Sequence, residues 1–150
     1  DEKAFNEAAA FFPCIGKSWT LQGGAGCGQH TKAANQIAVA ASLIGAVEAL
    51  RYAEGKGLDP HAVLTAISGG AAGSWQLTNN APKMLAGDFQ PGFFVKHFLK
   101  DLTIALESAE ESHITLPLLS LARNFFDCMT KAEYANYGTQ ALYDYYRRLE

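Results

Sequence analysis

At 150 residues the chain has the length of about one domain and is long enough to bury a substantial core. It is 49% apolar with 9 Phe, 6 Tyr and 2 Trp, which excludes a disordered class. The formal charge of -3, with no basic cluster anywhere, argues against nucleic acid or an anionic membrane surface as a partner.

Cys14, Cys27 and Cys128 are an odd number, widely spaced and without a CxxC pair, so neither a disulfide framework nor a zinc site is expected. His30, His61, His97 and His113 are scattered rather than grouped as metal ligands are. A reducing, cytoplasmic setting fits this usage best. The longest apolar run, Ile37 to Ala46, is too short to span a bilayer, and the N-terminus lacks signal-peptide grammar. The sequence opens on Asp1-Glu2-Lys3, without methionine and already helical in pattern, so a piece of a longer protein is expected.

Phe5, Ala8, Ala9, Phe12 and Ile15 recur at steps of three and four and predict an amphipathic helix over residues 3–15. Ser18-Trp19-Thr20-Leu21-Gln22 is β-favouring and predicts a short strand. That strand has no visible partner in the rest of the chain, so residues 1–22 read as the tail of a separate α/β domain. From Cys27 to about Glu54 a single long helix is expected, apolar nearly all round and therefore buried on most faces. Asp59-Pro60 should cap and start a short helix that ends at Gly69-Gly70. Ser74 should cap the next helix, which Pro82 interrupts or restarts. A helix from Phe94 to about Glu111 should bury Leu99, Leu102, Leu106 and Ala109. Two more follow, near 118–131 and 139–149, with Tyr143, Tyr145 and Tyr146 packing between helices. The main body, residues 23–150, is expected to be all-α.

The densest chemistry lies in Gly23-Gly24-Ala25-Gly26-Cys27-Gly28-Gln29-His30-Thr31-Lys32-Ala33-Ala34-Asn35-Gln36. Lys32 shares a helix face with Asn35 and Gln36, three and four residues on. An ammonium can exchange a proton with a substrate oxygen, and a carboxamide offers both a donor and an acceptor. The glycines allow close approach to backbone, and a helix N-terminus favours a carboxylate. A solvated lysine with two polar neighbours reads equally well from spacing alone. The glycines are not a dinucleotide fingerprint, because the third position falls on Gln29 and no βαβ unit surrounds them. Lys100-Asp101-Leu102, preceded by Phe93 and Lys96, is a second candidate, with a solvated charged face as its plainer reading. His97/Asp101 and Glu48/Arg51 are expected to be surface pairs. Ser74 and Trp75, after the glycine turn at 69–73, could line a pocket. Cys27 has no dedicated base beyond His30 and is not read as a nucleophile.

Taken together, the glycine segment with Lys32-x-x-Asn35-Gln36 and, about 68 residues later, Lys100-Asp101-Leu102 resemble the C-terminal domain of the β-hydroxyacid dehydrogenases. This is the family of 3-hydroxyisobutyrate dehydrogenase and tartronate semialdehyde reductase, and the similarity covers practically the whole chain. It implies the helical C-terminal fold of the 6-phosphogluconate dehydrogenase type, with residues 1–22 as the last helix and strand of a nucleotide-binding domain. It implies NAD or NADP, held mainly by that other domain, and a small hydroxy acid or semialdehyde as substrate. Lys32 would be the general acid/base, its neutral form favoured by burial and by the cofactor's positive charge. Gly24, Gly26 and Gly28 would form the substrate-proximal turn, with Asn35, Gln36 and Ser74 binding substrate. Phe93, Lys100 and Asp101 would close on the nicotinamide end of the cofactor. The resemblance also implies a homodimer or higher homo-oligomer built largely on the long helix, and an isolated chain without activity. Gln36 stands where many relatives carry a second asparagine. Two other readings belong to the same architecture: a non-catalytic dimerisation module and an imine-reducing relative. Both are expected to lack the lysine, so Lys32 counts against them. The 6-phosphogluconate dehydrogenases themselves have a much larger C-terminal domain.

Overall fold

Glycine and proline set most of the element boundaries. The computed structural model describes residues 1–149, and among them all regular structure is helical. Helix α1 covers Glu2–Ala8 and begins on Asp1, whose carboxylate accepts the Lys3 backbone N–H at 2.9 Å. It stops well short of the expected residue 15. Pro13 has no N–H to donate, and its ring would collide with the carbonyl four residues back, so the chain tightens instead into a 3₁₀ turn at Phe12–Cys14. Residues 18–22 form no strand, which corrects the sequence expectation: β-favouring composition needs a partner ladder, and the described residues offer none. Nothing in residues 1–26 is buried.

Gly26, in the left-handed region at φ 91°, turns the chain into helix α2, Cys27–Gly55. Gly57 (φ 69°) rather than Gly55 makes the stop, letting the Leu58 N–H reach back to the Ala53 carbonyl at 2.9 Å. By length and composition α2 could cross a membrane, yet it packs against α3 (Pro60–Ser68), α5 (Val95–Glu111), α6 (Pro117–Met129) and α7 (Leu142–Arg147). Its buried side is Gln36, Ala40, Leu43, Ile44, Ala46, Val47, Leu50 and Ala53. Burial on most faces was expected, but Ala34, Ala38, Gly45, Glu48 and Tyr52 are exposed.

Asp59 caps α3 as expected, accepting the His61 N–H at 3.0 Å. Ser74 caps the next helix through its hydroxyl, which accepts from the Leu77 N–H at 3.2 Å. Pro82 stands in the first turn of a restarted α segment, as expected. Its missing N–H is absorbed by a widened, π-type turn at Gln76–Asn80, after which α4 runs Ala81–Leu85. On α5 the buried stripe is Val95, Phe98, Leu102, Ala105 and Ala109; the expected Leu99 and Leu106 sit at its partly buried margin. Phe98 meets Phe126 of α6 edge to face, ring centroids 4.8 Å apart, at the centre of the core. The tyrosines of α7 fasten it to α2: the Tyr143 hydroxyl donates to Glu54 and that of Tyr146 to Glu48 at 2.9 Å. Arg51 meets Glu54 on the same helix.

After α6 a second widened turn, Thr130–Tyr134, puts Glu133 at φ 71° and sends residues 135–139 beneath the entrance to α5. There the two segments are sewn together by backbone bonds: Val95 N–H to Tyr137 O at 3.0 Å, Thr139 N–H to Phe93 O at 3.0 Å, and Gly138 N–H to Phe89 O at 2.9 Å. The Gln140 amide donates to the Asp88 and Gln90 carbonyls. This seam fixes the backbone of Phe93.

Candidate active site

Helices α2 and α5 pack side by side, and near the N-terminal ends of both they leave a pocket of about 120 Å³. Gln29, Lys32, Ala33 and Gln36 come from α2; Lys100, Asp101 and Ile104 come from α5. The two sequence motifs thus face each other, although spacing alone left each readable as a solvated surface.

Lys32 is exposed, in the second turn of α2, with its ammonium 5.8 Å from the ring centre of Phe93. Burial of Lys32, which the resemblance implied, is not supplied by the described residues. Phe93 in turn stands edge-on to the buried Phe98 (5.9 Å between centroids), which gives its ring a firm backing. Behind Lys32 lies a hydrogen-bonded chain. The Asn35 amide N–H donates to Gln36 Oε1 at 2.9 Å, and Gln36 Nε2 donates to Asp101 Oδ2 at 2.9 Å. Gln36 is only 3% exposed, and the other Asp101 oxygen lies 3.1 Å from the Lys100 ammonium. Lys100 itself is exposed.

Several candidates lie elsewhere. Gly24, Gly26 and Gly28 do not line the pocket, and of the three only Gly26, at φ 91°, uses glycine's conformational freedom, for the turn into α2. Ser74 faces a different cavity, with Ser42, Gly45, Ala46, Ala49, Ile67, Ala72 and Leu77, and its hydroxyl is engaged as a helix cap. Trp75 is exposed beside Phe93 in a third cavity of about 430 Å³ that includes Asn80 and Lys83. His97 does not pair with Asp101; its ring lies against Phe93 and Phe94. Three lining residues escaped the sequence reading: Gln29, Ala33 and Ile104. Gln29 was legible, since it precedes Lys32 by three and Gln36 by seven on the same face. Ile104 carried no polar signal. Among the described residues no group of His, Cys, Asp or Glu is arranged to hold a metal ion.

A lysine, two carboxamides, a carboxylate and a second lysine around so small a pocket suit a compact polar anion. Residues 26–146 match the family model for the NAD-binding domain of NADP-dependent 3-hydroxyisobutyrate dehydrogenase. The chain belongs to the 3-hydroxyisobutyrate dehydrogenase family. It is 50% identical over 143 residues to an uncharacterised oxidoreductase of Bacillus subtilis, covering 95% of this chain and 50% of that protein. To the 2-hydroxy-3-oxopropionate reductase of Escherichia coli it is 38% identical, covering 93% of this chain and 47% of the relative. The solved 3-hydroxyisobutyrate dehydrogenase of Mycobacterium tuberculosis superimposes with a TM-score of 0.89 at 27% identity, over 98% of this chain and 53% of that one. The chain therefore spans about half the length of these relatives. The family uses NAD or NADP. A pocket of about 120 Å³ is far too small for a dinucleotide.

Proposed function

We propose that this chain is the helical half of an NAD(P)-dependent dehydrogenase that interconverts a small β-hydroxy acid and its semialdehyde or keto form, with Lys32 as the general acid/base. The observation that carries this reading is the convergence of Lys32 and Gln36 from α2 with Lys100 and Asp101 from α5 on one pocket. The cofactor, when bound, accepts or returns the hydride. Lys32 takes the hydroxyl proton in oxidation and returns a proton to the carbonyl oxygen in reduction. Lys100, exposed at the rim, supplies positive charge for the substrate carboxylate, or an N–H donor for the carboxamide of the nicotinamide. The Phe93 ring forms the wall against which Lys32 rests.

Under this reading residues 1–22 are the tail of a nucleotide-binding domain, and residues 23–150 are the substrate and dimerisation domain. Two observations support it: residues 1–26 bury nothing, and the relatives are about twice as long. That domain would also cover Lys32, the exposed face of α2 would meet a second copy, and the protein would work in the cytoplasm. The isolated chain should then be inactive.

The test is turnover by the full-length protein with 3-hydroxyisobutyrate, L-threonate and 2-hydroxy-3-oxopropionate as probes, using NAD or NADP in the matching redox state. Lys32→Ala should lower kcat about 100-fold or more, the scale of a general acid/base. Lys100→Ala should instead raise KM for cofactor or acid. Turnover close to wild type in Lys32→Ala would remove the lysine from the chemistry.

A further inference from the structure

The amide chain behind Lys32 has a direction, and one group sets it. A carboxylate can only accept hydrogen bonds. Asp101 therefore obliges Gln36 to turn its Nε2 outward to α5, at 2.9 Å, leaving Oε1 on the other side. That oxygen in turn obliges Asn35 to present its N–H₂, also at 2.9 Å. The Asn35 carbonyl oxygen is then left without a partner among the described residues, on an exposed side chain three residues along α2 from Lys32. Gln36 is buried and both ends of its amide are engaged, so it is not placed to bind substrate.

We infer that Gln36 and Asp101 are positioning residues, which lock Asn35 with its acceptor oxygen toward the reacting groups. This rests on the function proposed above and reassigns both residues within it. An acceptor at that place is matched by a donor: the Lys32 ammonium, or the hydroxyl of the alcohol substrate. With the amide reversed, Asn35 would set N–H groups against an ammonium, donor against donor. Glutamine suits the task because its extra methylene lets one amide bridge from Asn35 on the same helix to Asp101 on the neighbouring one.

The test is an exchange of the buried carboxylate in the full-length protein. Asp101→Asn frees the chain to reverse and should lower kcat at least about 10-fold while leaving the melting temperature within a few degrees. Gln36→Glu sets two carboxylates against each other and should be at least as impaired. The double variant Gln36→Glu/Asp101→Asn again has an acceptor-only group facing Asn35, and should recover most of the lost kcat. Its recovery separates this role from the Lys100–Asp101 ion pair, which the double variant does not rebuild. A double variant no better than Asp101→Asn, or an Asp101→Asn enzyme within twofold of wild type, would overturn the inference. The side-chain N–H₂ resonances of Asn35 in ¹⁵N-labelled protein give a readout that needs no turnover. They should move in Asp101→Asn and return in the double variant; unchanged resonances would overturn the inference too. A full-length protein that turns over none of the three probes would defeat the dehydrogenase reading while the resonances still decide the amide chain.

Discussion

The N-terminal segment, residues 1–26, and the helical body that follows are built on different terms. In the body, the apolar stripe of every long helix ends in one core around Leu43, Leu50, Phe98, Leu102 and Phe126. In the N-terminal segment the apolar side chains are as large, yet Phe11 is 70% and Ile15 83% exposed. The Phe12 ring meets those of Phe5 and Trp19 within the segment, and the Thr31 hydroxyl, shared between Gln22 Oε1 and the Cys27 carbonyl, is a slender tie to α2. An amphipathic pattern reports that a helix has an apolar partner. It does not report whether the partner lies in the same chain.

That contrast can be broken by experiment, most sharply in the core. Phe126→Ala, at a fully buried position against Phe98, should cost about 3–5 kcal/mol of unfolding free energy in chemical denaturation. The matching change at Ile15 should alter stability by no more than about 0.5 kcal/mol. Equal losses at the two sites would mean that the N-terminal segment has a packing partner in the isolated chain.

A smaller effect is expected where the body holds Phe93. A Cβ at Gly138 would collide with the Gln140 amide, and that side chain is not free to move because it holds the Asp88 and Gln90 carbonyls. Gly138→Ala should cost about 1–3 kcal/mol and loosen the segment before α5, visible as faster hydrogen exchange over residues 88–95.

The least effect at neutral pH concerns the tyrosines. Burial, reinforced by hydrogen bonds to Glu54 and Asp144, raises the Tyr143 and Tyr134 hydroxyls to about 12 from their ordinary value of 10.0. The neutral phenol is the form favoured by folding, so this contribution is complete below about pH 10 and is lost as pH rises through about 12. Thermal unfolding followed from about pH 9 to about pH 12 should show stability falling, and less steeply in Tyr143→Phe.

The pattern of helices was legible because glycine, proline and capping residues mark them: Gly26, Gly57, Asp59 and Ser74 all act where the sequence placed a boundary or close to it. What misled was local composition without context. Residues 18–22 have strand-forming side chains but no neighbouring edge to pair with. On α5, Leu102 and Ala109 are buried as expected, but leucine at 99 and 106 outweighed the neighbouring Phe98 and Ala105 in the periodic reading. Pro82 marked a disturbance without revealing that a widened turn would absorb it. In the site, Lys32 and Lys100 could be singled out as motifs, and the packing of α2 on α5 brought them together. The role of Gln36 was not legible, because which way an amide points depends on Asp101, 65 residues away.

The proposed chemistry turns on Lys32 moving the proton, and the initial rate of full-length Lys32→Ala, with and without added ethylamine, addresses that step alone. The rate should lie at least about 100-fold below wild type and rise with amine concentration, as a free amine takes over the missing group's proton transfer. A rate near wild type without any amine would place the proton transfer on some other group.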